Sequence, residues 1–183
     1  CAEAVRQADA ARRPVSLAIG RANVGDWLFN RRPMRPDGTV KTTFVPADPH
    51  ALPEGQRFGP VDPTATVLTW RDDTAHPVAT LLHLACHAVS VYDSHKGISA
   101  DWPGPAVENL KRALGGAVQF AQGCAGNIVP ARRGVNEARE MGAFIAERSA
   151  KAAAKAAALP TAPLDVSQAI VGLPLTPLAA AVA

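Results

Sequence analysis

No two cysteines in this sequence have the C-x-x-C spacing of a metal or redox motif, and the three present, Cys1, Cys86 and Cys124, are odd in number. A disulfide framework and a cysteine zinc site are therefore unsupported, and a pairing of Cys86 with Cys124 is left open. Basic residues never gather into a run of five or more, and the formal charge is only +3, so nothing asks for nucleic acid. Such a charge permits weak attraction for anionic substrates or lipid head groups, which leaves peripheral contact with a membrane open. Long apolar runs are missing too. A membrane helix needs ~18 apolar residues, and the alanine-rich stretch 143–158 is interrupted by Glu147, Arg148, Lys151 and Lys155. The chain opens at Cys1 inside a helix-like pattern, with no initiator methionine or signal peptide, and it stops in the apolar run 178–183. The expectation is a piece of a longer protein.

What is present suits one core. A chain of 183 residues, 48% hydrophobic and 19% charged, can bury a core of ordinary size. Residues 2–13 carry helical spacing, and VSLAIGRA after them is short, apolar and β-compatible. From Asn30 to Pro63 prolines, glycines and aspartates are too frequent for a helix, so 30–63 reads as a long loop. Thr64–Trp70 alternates and Pro77–Cys86 is a second apolar run, which together read as a hairpin. The second strand hardly alternates in TLLHLAC and is expected to be central and buried on both faces. A helix is expected over about 102–114, with Asp101 near its N-cap and Gly115 and Gly116 as its stop. Ala117–Gln122 reads as a strand, 136–158 as a long helix, and Leu164–Leu173 as a final strand. No internal repeat is visible. The fold class expected is α/β, a mixed β-sheet flanked by helices in an incomplete single domain, with 64–130 as its core.

His87 is the strongest single candidate for chemistry. It stands at the carboxyl end of the second hairpin strand, where ligands gather in open α/β sheets, and neutral imidazole is the commonest zinc ligand. A satisfied structural histidine is the competing reading. His83, four residues earlier, would complete H-x-x-x-H, but that motif draws its force from a helix carrying a glutamate, and this segment is strand-like. Asp101 has two readings that are compatible. As an N-cap it would contribute about 1 kcal/mol, and as a site residue it would orient His87 through a hydrogen bond.

Four segments, FNRRP at 29–33, ACHAVS at 85–90, ISADWPG at 98–104 and QGCAGNIVP at 122–130, together resemble the N-terminal catalytic domain of the neutral/alkaline ceramidase family, zinc amidases that cut the N-acyl bond of sphingolipids. LLHLACHAVS is similar to the family motif in which an apolar strand ends in His-Gly-Thr-Ser, and its zinc-binding histidine falls on His87. ISADWPG is similar to the family's Ile-Ser-Gly-Asp block, and QGCAGNIVP to its Gly-Asp-Val-Ser-Pro block. FNRR matches Asn-Arg-Ser, whose arginine lies at the active site in the family. Arg31 inherits that role, against a solvated loop arginine beside Arg32 and Arg35.

The resemblance implies a zinc-dependent hydrolase of a linear amide, ceramide-like, that is secreted or periplasmic. It also marks a departure. Val129 stands where the family has a serine proposed as nucleophile, and Asn127 where it has an aspartate. The nucleophile implied is then water activated by zinc, whose bound water has a pKa of about 7. Asn127 would donate a hydrogen bond to the oxyanion, or be simply a turn residue after glycine. Three protein ligands are needed for catalytic zinc, and only His87 matches here. The family's other ligands, a histidine from an earlier strand and a later glutamate and tyrosine, are expected outside the chain, which alone is then expected to be inactive. The alternative is a non-catalytic relative that binds lipid or glycan.

Overall fold

Alternation along 64–84 is what builds the centre of the molecule. The computed structural model describes residues 2–40, 52–91, 96–160, 163 and 165–174. In chain order it has α1 (Ala2–Ala10), β1 (Ser16–Asn23), a 3-10 turn (Gly25–Trp27), β2 (Leu28–Asn30), β3 (Thr64–Arg71), β4 (Pro77–Leu84), α2 (Pro103–Leu114), β5 (Ala117–Gln122), β6 (Ile128–Pro130) and α3 (Val135–Ala154). β3 and β4 form the expected hairpin, and its turn is held by Asp72, whose carboxylate accepts from Thr74 N, Thr74 Oγ1 and His76 N. The main sheet has the order β1-β3-β4-β5, antiparallel except for the last pair. The parallel β4–β5 pair needs a crossover, and α2 supplies it. β2 and β6 form a second, two-stranded antiparallel sheet. The architecture is α/β, a mixed sheet flanked by helices.

Packing concentrates on one face of the main sheet. Ala65, Val67, Leu82 and Leu84 are fully buried there, with Leu110 of α2 and Met141 and Ile145 of α3. Each large apolar side chain so buried contributes about 1.5–3 kcal/mol. Two glycines let backbones approach. A Cβ on Gly20 of β1 would lie 2.6 Å from the Ala152 carbonyl oxygen of α3. One on Gly142 of α3 would lie 2.7 Å from the Ala106 nitrogen of α2 and 2.8 Å from the Trp102 carbonyl. The Arg71 guanidinium donates to the Ala153 carbonyl at 2.5 Å, which ties β3 to the last turn of α3.

Several expectations need correction. β4 is interior in the sheet but buried on one face only: Thr80, Leu82 and Leu84 are buried while His83 is exposed. Apolar residues on the opposite face, Ile19, Leu68 and Leu81, share one row across the strands and are half-buried, which is why the run lacks a polar alternation. The first helix ends at Ala10 and α3 at Ala154, short of 158. Ala158 instead bridges to Ala18 on the outer edge of β1, and Leu159 N donates to Leu17 O. No strand forms over 165–173, because no neighbouring strand pairs with it; Val166, Ile170 and Leu173 are exposed. Leu164 lies outside the described residues, as do Cys1 and residues 41–51 of the long loop. Within the rest of 30–63, Met34 bridges to Val40 and Arg57. Cys86 and Cys124 are free thiols, the first buried and the second exposed. No helix among the described residues is long and apolar enough to cross a membrane.

Candidate functional site

The carboxyl ends of the parallel strands β4 and β5 lie side by side, and the segments leaving them meet the small sheet. After Leu84 the chain runs to His87, whose N–H donates to Ile128 O at 2.9 Å. After Gln122 it runs through the turn 123–127, tied to β4 by Gly123 N donating to Leu84 O at 3.0 Å. On the other side of the turn, Arg31 N at the end of β2 donates to Asn127 O at 2.9 Å. The small sheet thus brings Arg31, His87 and Asn127 to one place. Neither of its strands exceeds three residues, which is too short for a period to be read from sequence.

The geometry centres on a backbone oxygen. The Gly126 carbonyl accepts from Arg31 Nη2 at 3.0 Å and stands 3.2 Å from His87 Nε2. A carbonyl only accepts, so the hydrogen of this contact belongs to Nε2. Gly126 itself has φ +26, within the range that favours glycine. Arg31, His87 and Asn127 are half-buried, and Gly126 is exposed. The arrangement can present a guanidinium and an imidazole to one small polar group.

Asp101 sits elsewhere. It is buried, and its carboxylate accepts from Ser90 N at 3.0 Å and Trp102 N at 2.7 Å through Oδ1, and from Val91 N at 2.7 Å through Oδ2. The cap position of α2 is Trp102, with no side-chain cap bond; Asp101 precedes it, and its carboxylate turns back onto the chain after His87. Asp101 has a backbone φ of +54, and at the start of α2 its carboxylate takes the amide of the cap residue Trp102. A cleft of 190 Å³ between α2 and α3, lined by Val91, Asp101, Pro105 and Ala138 among others, borders this carboxylate and not His87. Cys86, next to His87, is buried, and burial pushes its thiol pKa up, with the Asp101 charge adding to the effect and Arg133 opposing it.

Trp102 is a further residue of the site that the sequence motifs do not mark. Its indole N–H donates to the His87 carbonyl at 3.0 Å, so the link from the 98–104 segment to His87 runs through tryptophan. The signal available was chemical. A tryptophan inside an apolar core carries one donor that must find an acceptor.

A zinc ion would need three donors at one place. Among the described residues, no three His, Cys, Asp or Glu side chains come together to hold a metal. Cys86 is buried, and His83 stands at an exposed position of β4. The described residues supply one imidazole and do not complete a catalytic zinc site. Val129, at the place of the expected serine, is fully buried in β6 opposite Phe29.

No protein-family model matches the chain, and no curated protein matches it. Solved structures do. The chain is similar to the neutral ceramidase of Pseudomonas aeruginosa with a TM-score of 0.61 and 19% identity, over 84% of this chain and 25% of that one. A structure described as a ceramidase complexed with C2 matches with the same TM-score and identity, over 82% of this chain and 24% of the other. The chain spans about a quarter of the length of those structures. The fold expected from the four segments is the fold observed: this is a neutral-ceramidase-like α/β unit.

Proposed function

We propose that the protein is a hydrolase of the linear amide bond of an N-acyl lipid, ceramide-like in chemistry. The observation that supports it is the meeting of Arg31 and His87 on the Gly126 carbonyl, at the strand carboxyl ends of a fold shared with neutral ceramidase. Arg31 keeps further donors beyond the one on Gly126, and its planar fork suits a carbonyl oxygen that gains negative charge. Asn127 beside it supplies an amide. Val129 cannot attack a carbonyl, so the nucleophile in this reading is water. Zinc belongs to the proposal with His87 as one ligand and with ligands other than the described residues completing the set. The partner is a small-molecule amide or lipid rather than nucleic acid, and a secreted or periplasmic location goes with it.

The test uses the intact protein and a short-acyl ceramide. Release of free sphingoid base is measured together with zinc content by elemental analysis. Hydrolysis and stoichiometric zinc are expected in the wild type, and both are expected to vanish in His87→Ala. Retention of both in that variant would remove the reading.

A second reading, a non-catalytic relative that binds lipid or glycan, is favoured by two observations: the buried Val129 and the lack of a three-ligand cluster among the described residues. It predicts ceramide or glycan binding that survives chelation, with no product formed.

A further inference from the structure

The chain from 87 to 91 is fastened at six of its backbone groups. His87 N donates to Ile128 O, Arg133 Nη1 donates to Val89 O at 3.1 Å, and Gly134 N donates to Ser90 O at 2.7 Å. The Cys86 thiol lies 3.5 Å from the His87 carbonyl, and the other fastenings come from two adjacent residues. Asp101 accepts from the amides of Ser90 and Val91, and Trp102 donates its indole hydrogen to the His87 carbonyl. Trp102 is itself fully buried, with its ring edge-on to Phe120 at 5.0 Å and 79°. A non-glycine residue at positive φ, as Asp101 is, persists only where the surroundings over-determine it. Here three amide donors to one carboxylate supply that determination.

We infer that Trp102 is a positioning residue for His87, with Asp101 as the second point of a clamp. The indole hydrogen bond fixes the peptide plane after His87. With the His87 N–H fixed on the small sheet, the two bonds together set the direction of its Cα–Cβ bond. That direction is what brings Nε2 to the Gly126 carbonyl beside Arg31. The imidazole is aimed from behind by a buried tryptophan rather than by a carboxylate on its ring. This rests on the reading of His87 as a working group of the site, though the aiming itself is a property of the fold.

Trp102→Phe keeps a ring against Phe120 and removes the donor. A second substitution keeps the shape more closely: 3-benzothienylalanine at position 102 replaces the N–H by sulfur and nothing else. In the intact protein labelled with ¹⁵N-histidine, at one fixed pH, wild-type His87 is expected to show one set of ring signals, set by the fixed place of its ring. Both variants are expected to show displaced His87 ring signals, while the remaining spectrum is preserved. For ceramide hydrolysis, kcat is expected to fall about tenfold with KM unchanged, the size usual for loss of a supporting hydrogen bond behind a working residue. Unchanged His87 ring signals in the benzothienyl variant overturn the clamp, whatever the activity. Hydrolysis that persists in His87→Ala overturns the functional reading instead, and the ring signals still decide the clamp.

Discussion

Arg31 and His87 share a single acceptor, the Gly126 carbonyl, at 3.0 and 3.2 Å. They arrive from different elements, one at the end of β2 and the other beyond β4, so the juxtaposition exists only in the folded chain.

Replacing Arg31 tests what that sharing is for. Arg31→Met is expected to reduce kcat for amide hydrolysis about 100-fold, the order found when one donor to a developing oxyanion is removed. Arg31→Lys should not restore it, because one ammonium cannot serve both the Gly126 carbonyl and a substrate oxygen in the fork geometry of a guanidinium. Steady-state rates of both variants against ceramide check this. Full activity in Arg31→Lys would contradict the bidentate role.

Gly20 is expected to tolerate no side chain. A Cβ there would meet backbone of α3 at 2.6 Å, and backbone cannot swing aside as a side-chain tip does. Gly20→Ala should cost about 1–3 kcal/mol, read as a lower urea midpoint. A midpoint equal to the wild type would mean that α3 can shift on the sheet.

Asp101→Asn removes one of two acceptor oxygens and places an amide NH₂ against a backbone N–H. Leaving a buried donor unpaired costs about 1–3 kcal/mol. Chemical denaturation of the intact protein measures it, and the loss should not be relieved by Asp101→Gly, which removes the strain at φ +54 but also all three hydrogen bonds.

The hairpin turn carries a pH signature. Bonds from Thr74, first from its hydroxyl, and from the His76 amide hold the Asp72 carboxyl below its ordinary 3.8. A depressed native pKa means stability that is present above 3.8 and lost as pH falls through the lower native value. The stability difference between wild type and Asp72→Asn should therefore be constant from neutral pH down to the ordinary value and shrink below it. Urea midpoints of the two proteins across that range test the sign.

Cys86 and Cys124 should behave differently toward a thiol reagent. Cys124 is exposed, whereas Cys86 is buried with its thiol pKa raised, and the thiolate is the reactive form. Peptide mapping after brief treatment at pH 8 should find Cys124 modified and Cys86 intact until denaturant is added. Prompt modification of Cys86 would show that the segment before His87 opens readily.

The hairpin, α2 and β5 were legible because each has a period or a stop signal of its own: alternation in Thr64–Arg71, Gly115 after α2, an apolar run before Gly123. The burial of β4 was not. TLLHLAC has the composition of a doubly covered strand, and only the register shows that Leu81 and His83 lie on the face away from α2 and α3. The strand expected at 164–173 failed for a related reason, since β-propensity describes a fit to neighbours and none pairs with it. For the site, the residue types at 31, 87, 101 and 127 could be named from the sequence. Their grouping could not, because it depends on strands of three residues and on a carbonyl that every residue possesses. The link from Trp102 to His87 is not legible in the sequence either, since the acceptor of its indole hydrogen is a main-chain carbonyl.

The common acceptor of Arg31 and His87 is main chain, and that decides how the site can be altered. Substituting residue 126 changes the torsional preference at φ +26, where a Cβ would meet nothing within 4 Å, but it leaves the oxygen in being. A mutational scan of side chains would therefore record position 126 as a matter of backbone comfort. The point on which two charged or ionisable groups are registered would stay invisible to it, and only a backbone replacement such as an ester at the following residue, which weakens that carbonyl as an acceptor, would reveal it.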